Sequence, residues 1–429
     1  MNRKSKGELF LNDKLPLWKT WRTLRGNQRT VVWVEPLWSI PYQVLLPYVS
    51  IYMSMIGLRS EQIGMLSSFG LAMQFVWAIF SGAIIDKYGR RKTMLLFGVL
   101  SWTVSCLLFA VAKDYLIVML AVLFNSMWQV TGNCFSCILV EDGDSDHLVS
   151  IWTLINLTGL VAGFFSPITG LFIDKFTFMP TLRTVYFVAM VMMTARFVLQ
   201  YLYSYESSIG LQRREACSNQ TVISLTFRDW RILVAELRQP RLLLCVAFMA
   251  LLTSFSTVQT TFWSLFVTKT FYVSTATLSV FPVIASVTTL VVYLFITPRI
   301  SLRFVRYPLL LGLSFHLSSI VVLLLGESFH NYWIGIVLLS AFCEALAIAL
   351  LGPLTESIMA VVIRSDERAR LNSFITALIL LISTPMGWLA GSLFQANPTY
   401  TMVFNAGLMV VAILLSFFVV RRLRPFRPT

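Results

Sequence analysis

The sequence predicts an all-α integral membrane protein, with twelve transmembrane helices arranged as two pseudo-symmetric six-helix bundles. Three observations carry that prediction. Hydrophobic residues make up 57% of the 429 residues and charged residues only 13%, whereas soluble domains carry about 25% charge. The apolar residues gather into about twelve stretches of roughly the 20 residues that cross a bilayer. The lysines and arginines fall mainly in every second connection, as membrane orientation demands. A net charge of +14 distributed in this way points to membrane orientation rather than to nucleic acid.

The first 29 residues are polar and basic, with no apolar core that would make a signal peptide, so they are expected to stay in the cytoplasm. Apolar runs then place spans at 30–56, 61–85, 93–111, 115–140, 150–173 and 182–203, forming an amino-terminal bundle over 30–203. The polar stretch 204–241 reads as a cytoplasmic linker. Within it, Leu225, Ile232, Leu233 and Leu237 recur with helical rhythm, which predicts an amphipathic helix on the membrane face. The second bundle, 242–420, contains spans at 242–268, 275–297, 305–326, 332–353, 372–395 and 401–420, and a basic cytoplasmic tail follows at 421–429. With both termini inside, about 28 of the 34 Lys and Arg are cytoplasmic. This makes a multi-pass protein of the cell (plasma or inner) membrane, expected as a monomer in the lipid bilayer.

The halves repeat. Glu141 ends the fourth span and Glu356 the tenth. Pro167 and Gly170 in the fifth span correspond to Pro385 and Gly387 in the eleventh. Proline with nearby glycine lets helices bend and approach closely, as a rocking pair of bundles requires.

Between the second and third spans stands Gly82-Ala-Ile-Ile-Asp86-Lys87-Tyr-Gly89-Arg90-Arg91-Lys92. Gly82 removes a side chain where helix two meets a neighbour. Gly89 permits a tight turn, and Asp86 can hold the adjacent cations. The run resembles the loop between helices two and three of the major facilitator superfamily, bacterial type, and matches it at seven of eleven positions. The resemblance implies two six-helix bundles working by alternating access. It also implies that Asp86 meets the start of the eleventh helix, latching the bundles on the cytoplasmic side in the outward-open state. We expect Glu141 and Asp142, at the end of helix four, to pair with Arg90 or Arg91 and complete that latch. The counterpart between spans eight and nine is degenerate: Pro298 stands where the aspartate should be.

Ionisable residues inside spans are costly and point to function. Glu344 lies at mid-membrane in the tenth span with no cation in its own helix, so it is expected to take up a proton and serve in coupling. Glu35, near Arg29, reads equally as an interfacial ion pair or a coupling group. Arg196 reads as a snorkelling or gating residue, and His316 as a packed neutral ring. Gln43, Gln129, Asn133 and Gln259 are expected to line a central cavity with Glu344, near Tyr42, Trp128 and Trp263. Such a cavity suits a neutral polar or cationic organic molecule. Cys134 and Cys137 have redox-like spacing, but they lie in a span and read as packing.

Drug exporters of the superfamily carry an arginine before the Gln-x-x-Gly of helix four; here Trp128 precedes Gln129. No phosphate-binding Gly-rich loop, catalytic triad or metal motif occurs. The reading is therefore a secondary active transporter of a small organic solute, with protons as a candidate partner, no cofactor and no enzymatic activity. Multidrug efflux and a non-transporting sensor or scaffold of the same fold are the alternatives.

Overall fold

The computed structural model describes residues 21–22, 24–141, 148–227, 239–296, 306–329, 332–362 and 368–422. Twelve membrane segments, α1–α12, succeed one another in the expected order. Eleven of them are helices long and apolar enough to cross a bilayer. The twelfth, α1, is broken by proline into Gly26–Val34, Pro36–Leu45, a 3-10 turn Leu46–Tyr48 and Val49–Met55. Pro36 and Pro47 stand at the breaks, where each removes a backbone donor, while Pro41 is absorbed inside Pro36–Leu45.

The remaining segments of the first half are α2 (Ser60–Tyr88), α3 (Arg90–Val111), α4 (Tyr115–Val140), α5 (Leu148–Gly163 and Ser166–Phe176) and α6 (Phe178–Tyr203). The second half comprises α7 (Pro240–Thr270), α8 (Thr277–Val280 and Phe281–Phe295), α9 (Arg306–Gly326), α10 (Trp333–Val362), α11 (Arg368–Ala396) and α12 (Pro398–Arg422). The α10 helix runs nine residues beyond the expected 353, because Pro353 is absorbed inside it rather than ending it. The α3 helix widens into a π-turn at Val99–Val104, which swings Trp102 toward α1.

Between α6 and α7 the described linker folds into two short helices, Ser208–Cys217 and Val222–Phe227, both packed on α2. Residues 228–238, which hold most of the amphipathic stretch expected from sequence, lie outside the described residues, as does Asp142.

Each half buries its own contacts: α1 against α5 and α6, and α3 against α4 and α6, are matched by α7 against α11 and α12, and α9 against α10 and α12. The halves meet along α2–α11, α5–α8 and the far end of α1 against α7.

Candidate functional site

The hairpin between α2 and α3 is a closed network of charge. Gly89 adopts φ +85°, a conformation that favours glycine, and the turn brings Arg90 back under α2. Arg90 donates from Nε and Nη2 to both oxygens of Glu141 (2.8–3.1 Å), and from Nη2 to Asp86 Oδ1 at 3.3 Å. Its side chain is only 5% exposed, so the bidentate carboxylate compensates for its lost hydration. Arg91 takes a different partner from the one expected. It donates to the Tyr201 carbonyl at 2.7 Å and stacks over that ring. Lys87 reaches the Gln220 carbonyl at 2.8 Å.

Two residues of this network escaped the sequence reading. The Glu206 carboxylate accepts from the backbone N–H groups of Arg90 (2.6 Å) and Arg91 (3.1 Å). It thereby caps the positive end of α3, where an anion is favoured. The Ser207 hydroxyl donates to Glu141. Glu206 is the first acidic residue after α6, but nothing beside it in the sequence marks it as the cap of a helix 116 residues earlier.

Gly82 corrects an expectation. A side chain there would meet nothing within 4 Å, so close helix approach is not its role. That role falls to Gly64 at the other end of α2. A Cβ on Gly64 would collide with the Gly387 carbonyl oxygen and lie 2.7 Å from the Gly391 Cα. Backbone therefore meets backbone where α2 crosses α11, as small residues permit. Hydrogen bonds bind the same seam: Trp388 N–H to Ser68 Oγ at 2.7 Å, and Ser60 N–H to Gln395 Oε1 at 3.1 Å. On α5, Gly163 abuts Ser286 and Pro282 of α8, while Gly170 abuts Ser279 and Ala276. Pro167 begins the second piece of α5, and Pro385 sits inside an unbroken α11.

These contacts join the halves at the face opposite the hairpin. The sequence led us to expect a latch from Asp86 to α11 on the hairpin face. The partner described for Asp86 is Arg90 within the same half, and the side chains that begin α11 lie outside the described residues.

The interior holds two ionic pairs. Glu35 stands at the first break of α1, 5% exposed, with Arg196 Nη2 at 3.4 Å and Ser39 Oγ at 3.3 Å. It is a buried inter-helix pair rather than an interfacial one with Arg29. The Arg196 guanidinium also lies 4.6 Å from the centre of the Phe197 ring. Glu344 is likewise not unpaired: His316 Nδ1 of α9 lies 2.9 Å from Oε2, and Phe255 of α7 packs 4.6 Å from the imidazole. The packed histidine and the mid-membrane carboxylate therefore form one unit.

The expected amides disperse. Gln43 donates to the Gly159 carbonyl of α5, and Asn133 donates to Ser81 Oγ of α2. Gln259 accepts from Asn405 of α12 at 3.0 Å, inside its own half. Gln129 is buried in α4. Trp263 packs edge-on to Phe281, and Trp128 is 38% exposed. Two cavities stand out instead. One, of about 260 Å³ within the first half, is lined by Tyr42, Ser67, Trp102, Asn125 and Met193 among others, with Trp38 stacked behind Tyr42 at 4.7 Å. The other, of about 320 Å³, is walled by Thr253, Ser256, Thr257 and Thr260 of α7 and Thr355 of α10.

Known structures share this architecture. The crystal structure of a mutant of the nucleoside transporter NupG superposes with a TM-score of 0.69 at 14% identity, over 92% of this chain and 100% of that one. A peptide transporter POT in complex with sulfate gives 0.68 at 15%, over 95% and 99%. The human organic anion transporter MFSD10 gives 0.59 at 17%, over 91% and 100%. At these identities the likeness is one of fold. No curated protein sequence matches the chain. Residues 42–406, most of the sequence, match the MFS_1 like family. The chain thus belongs to the MFS_1 like family, and it is a membrane transporter of the major facilitator type rather than an enzyme.

Proposed function

We propose that the protein is a secondary active transporter that moves a small, neutral or zwitterionic organic solute by alternating access, with His316 and Glu344 as its proton-coupling pair. One observation carries the reading: the halves are sealed at one face by backbone-to-backbone glycine contacts, Gly64 against Gly387 and Gly391. Contacts of that kind join two rigid bodies without interlocking side chains, so they can part and re-form as the bundles rock. The charge of the solute follows from the interior. Glu35–Arg196 and Glu344–His316 are each closed on themselves, so aromatic, amide and hydroxyl groups are left to meet a cargo. Asp86, Arg90, Glu141 and Glu206 then act as a mechanical joint that holds α2, α3 and α4 as one body during the motion.

Coupling rests on the placement of Glu344. A carboxylate at mid-membrane beside an imidazole can take up and pass on a proton as solute enters and leaves. The test begins with a thermal-shift screen of purified protein against nucleosides, short peptides and organic anions, the cargo classes of the structural neighbours. A stabilising solute is then followed in proteoliposomes. Wild-type protein should accumulate it under an imposed proton gradient. Glu344→Gln should retain exchange of labelled for unlabelled solute while losing accumulation. Accumulation by Glu344→Gln at the wild-type level would remove the coupling assignment, and absence of exchange by wild type with every stabilising solute would remove transport by alternating access.

A further inference from the structure

A second site lies on the membrane-facing side of the hairpin. Between α2 and α3 a groove of about 660 Å³ is lined by Trp77, Phe80, Ile84, Tyr88, Leu96 and Phe97, and Val222 of the linker closes one end. Its wall is almost wholly apolar, with Trp77 and Phe97 set edge-to-face at 5.7 Å. Two polar residues break that wall, Lys92 and Thr93. Thr93 is 2% exposed, and its hydroxyl has no hydrogen-bond partner in the protein. A buried hydroxyl left in that state is costly, and here it borders a groove that can hold an acceptor.

A smaller depression of about 410 Å³ continues from the same Tyr88 and is lined by Lys87, Arg214, Glu215 and Ser218. The two cavities together form an apolar trough ending in a rim of three cations against one carboxylate. Lys87 already spends one of its protons on the Gln220 carbonyl, whereas Lys92 stands exposed at the trough itself. Trough, buried hydroxyl and cationic rim occur in the order in which a phospholipid presents acyl chain, ester carbonyl and phosphate.

We propose that this groove binds one anionic diacyl phospholipid from the leaflet on the hairpin face. An acyl chain lies against Trp77, Phe80 and Phe97, the Thr93 hydroxyl donates to an ester carbonyl, and Lys92 with Arg214 holds the headgroup. The groove shares no lining residue with the interior pairs Glu35–Arg196 and Glu344–His316, and its test does not depend on transport. Because the lipid seats on α2 beside Asp86, its occupancy also bears on how firmly the hairpin is held.

The experiment uses full-length protein purified in a neutral detergent. Native mass spectrometry and thermal unfolding are recorded with phosphatidylglycerol, with phosphatidylcholine of the same chains, and with inorganic phosphate. Phosphatidylglycerol should be retained as a single bound copy and should raise the unfolding temperature more than phosphatidylcholine does. Lys92→Ala should weaken its retention about fivefold, the effect of one cation at a membrane surface. Thr93→Val, which keeps the shape of the side chain, should weaken retention of both lipids. Leu96→Trp, which fills the trough, should abolish the bound copy without altering the response to inorganic phosphate. Equal retention of the two lipids in wild type, or an unchanged preference in Lys92→Ala, would overturn the proposal. Inorganic phosphate stabilising the protein as much as phosphatidylglycerol does would also overturn it, because the rim would then be a free-anion site.

Discussion

At the scale of single residues, the hairpin shows how a membrane protein keeps a buried guanidinium. Arg90 pairs with Glu141 and Asp86 through Nε and Nη2 and with Glu206 through its backbone, while its buried Nη1 has no partner in the protein. Removing Glu141 leaves the cation with only a distant, partly exposed carboxylate. Glu141→Ala should therefore destabilise the first half by about 3 kcal/mol, the scale of a broken buried ion pair, and a lower midpoint in thermal unfolding would register it. Glu206→Ala removes a helix cap and should cost about 1 kcal/mol. If the two variants unfold at the wild-type temperature, the network is not what holds the turn. Asp86, Gly89 and Arg90 were legible as a unit because they are neighbours in sequence. Glu206 and Ser207 were not, since they arrive from more than a hundred residues away, and no local pattern marks a helix cap supplied at that distance.

At the scale of elements, α2 and α11 form the seam on which the halves close. Gly64 permits no Cβ there without a shift of α11 backbone. Gly64→Val should consequently hold the face opposite the hairpin open while leaving each half folded. A cysteine introduced at Ser67, which hydrogen-bonds to Thr261 across the halves at 3.1 Å, should react faster with a membrane-impermeant maleimide in that background. Unchanged labelling would mean that the seam closes in some other way. The positions of most spans were readable to within a few residues, because apolar length alone sets them; α4 matches the expected 115–140 throughout. The partner of Glu35 was not readable. It is Arg196, 161 residues downstream, and burial cannot be inferred from distance to a helix end. The same holds for Glu344, whose partner lies on a different helix.

At the scale of the whole molecule, twelve spans put the start of α1 and the end of α12 on one face, and we propose from the distribution of basic residues that this face is cytoplasmic. Cysteines placed at Lys92 and in the tail at Arg424 should therefore be labelled only after cells are permeabilised. Cysteines at Lys113 and Tyr272, in short turns at the other face, should be labelled in intact cells. The reverse pattern would invert the topology. Two-fold repetition was visible in Pro167–Gly170 and Pro385–Gly387, and the two copies serve the same use: Gly170 of α5 faces α8, and Gly387 of α11 faces α2, the counterpart of α8 in the first half. Pseudo-symmetry thus supplies both closing seams, one from each half.

The seam at α2 and α11 carries one more consequence. Two of its hydrogen bonds are made by main-chain amides, Trp388 to Ser68 and Ser60 to Gln395. Ser60 lies in the first turn of α2, where no carbonyl of its own helix can receive that N–H. When the halves separate, the Ser60 amide must be taken over by water, so opening this face hydrates main chain as well as rotating the bundles. Solutes excluded from protein surfaces oppose reactions that wet new surface. If the bundles rock as proposed, the balance between the two faces is tied to the water activity on the sealed side, and a drier medium there keeps the door shut.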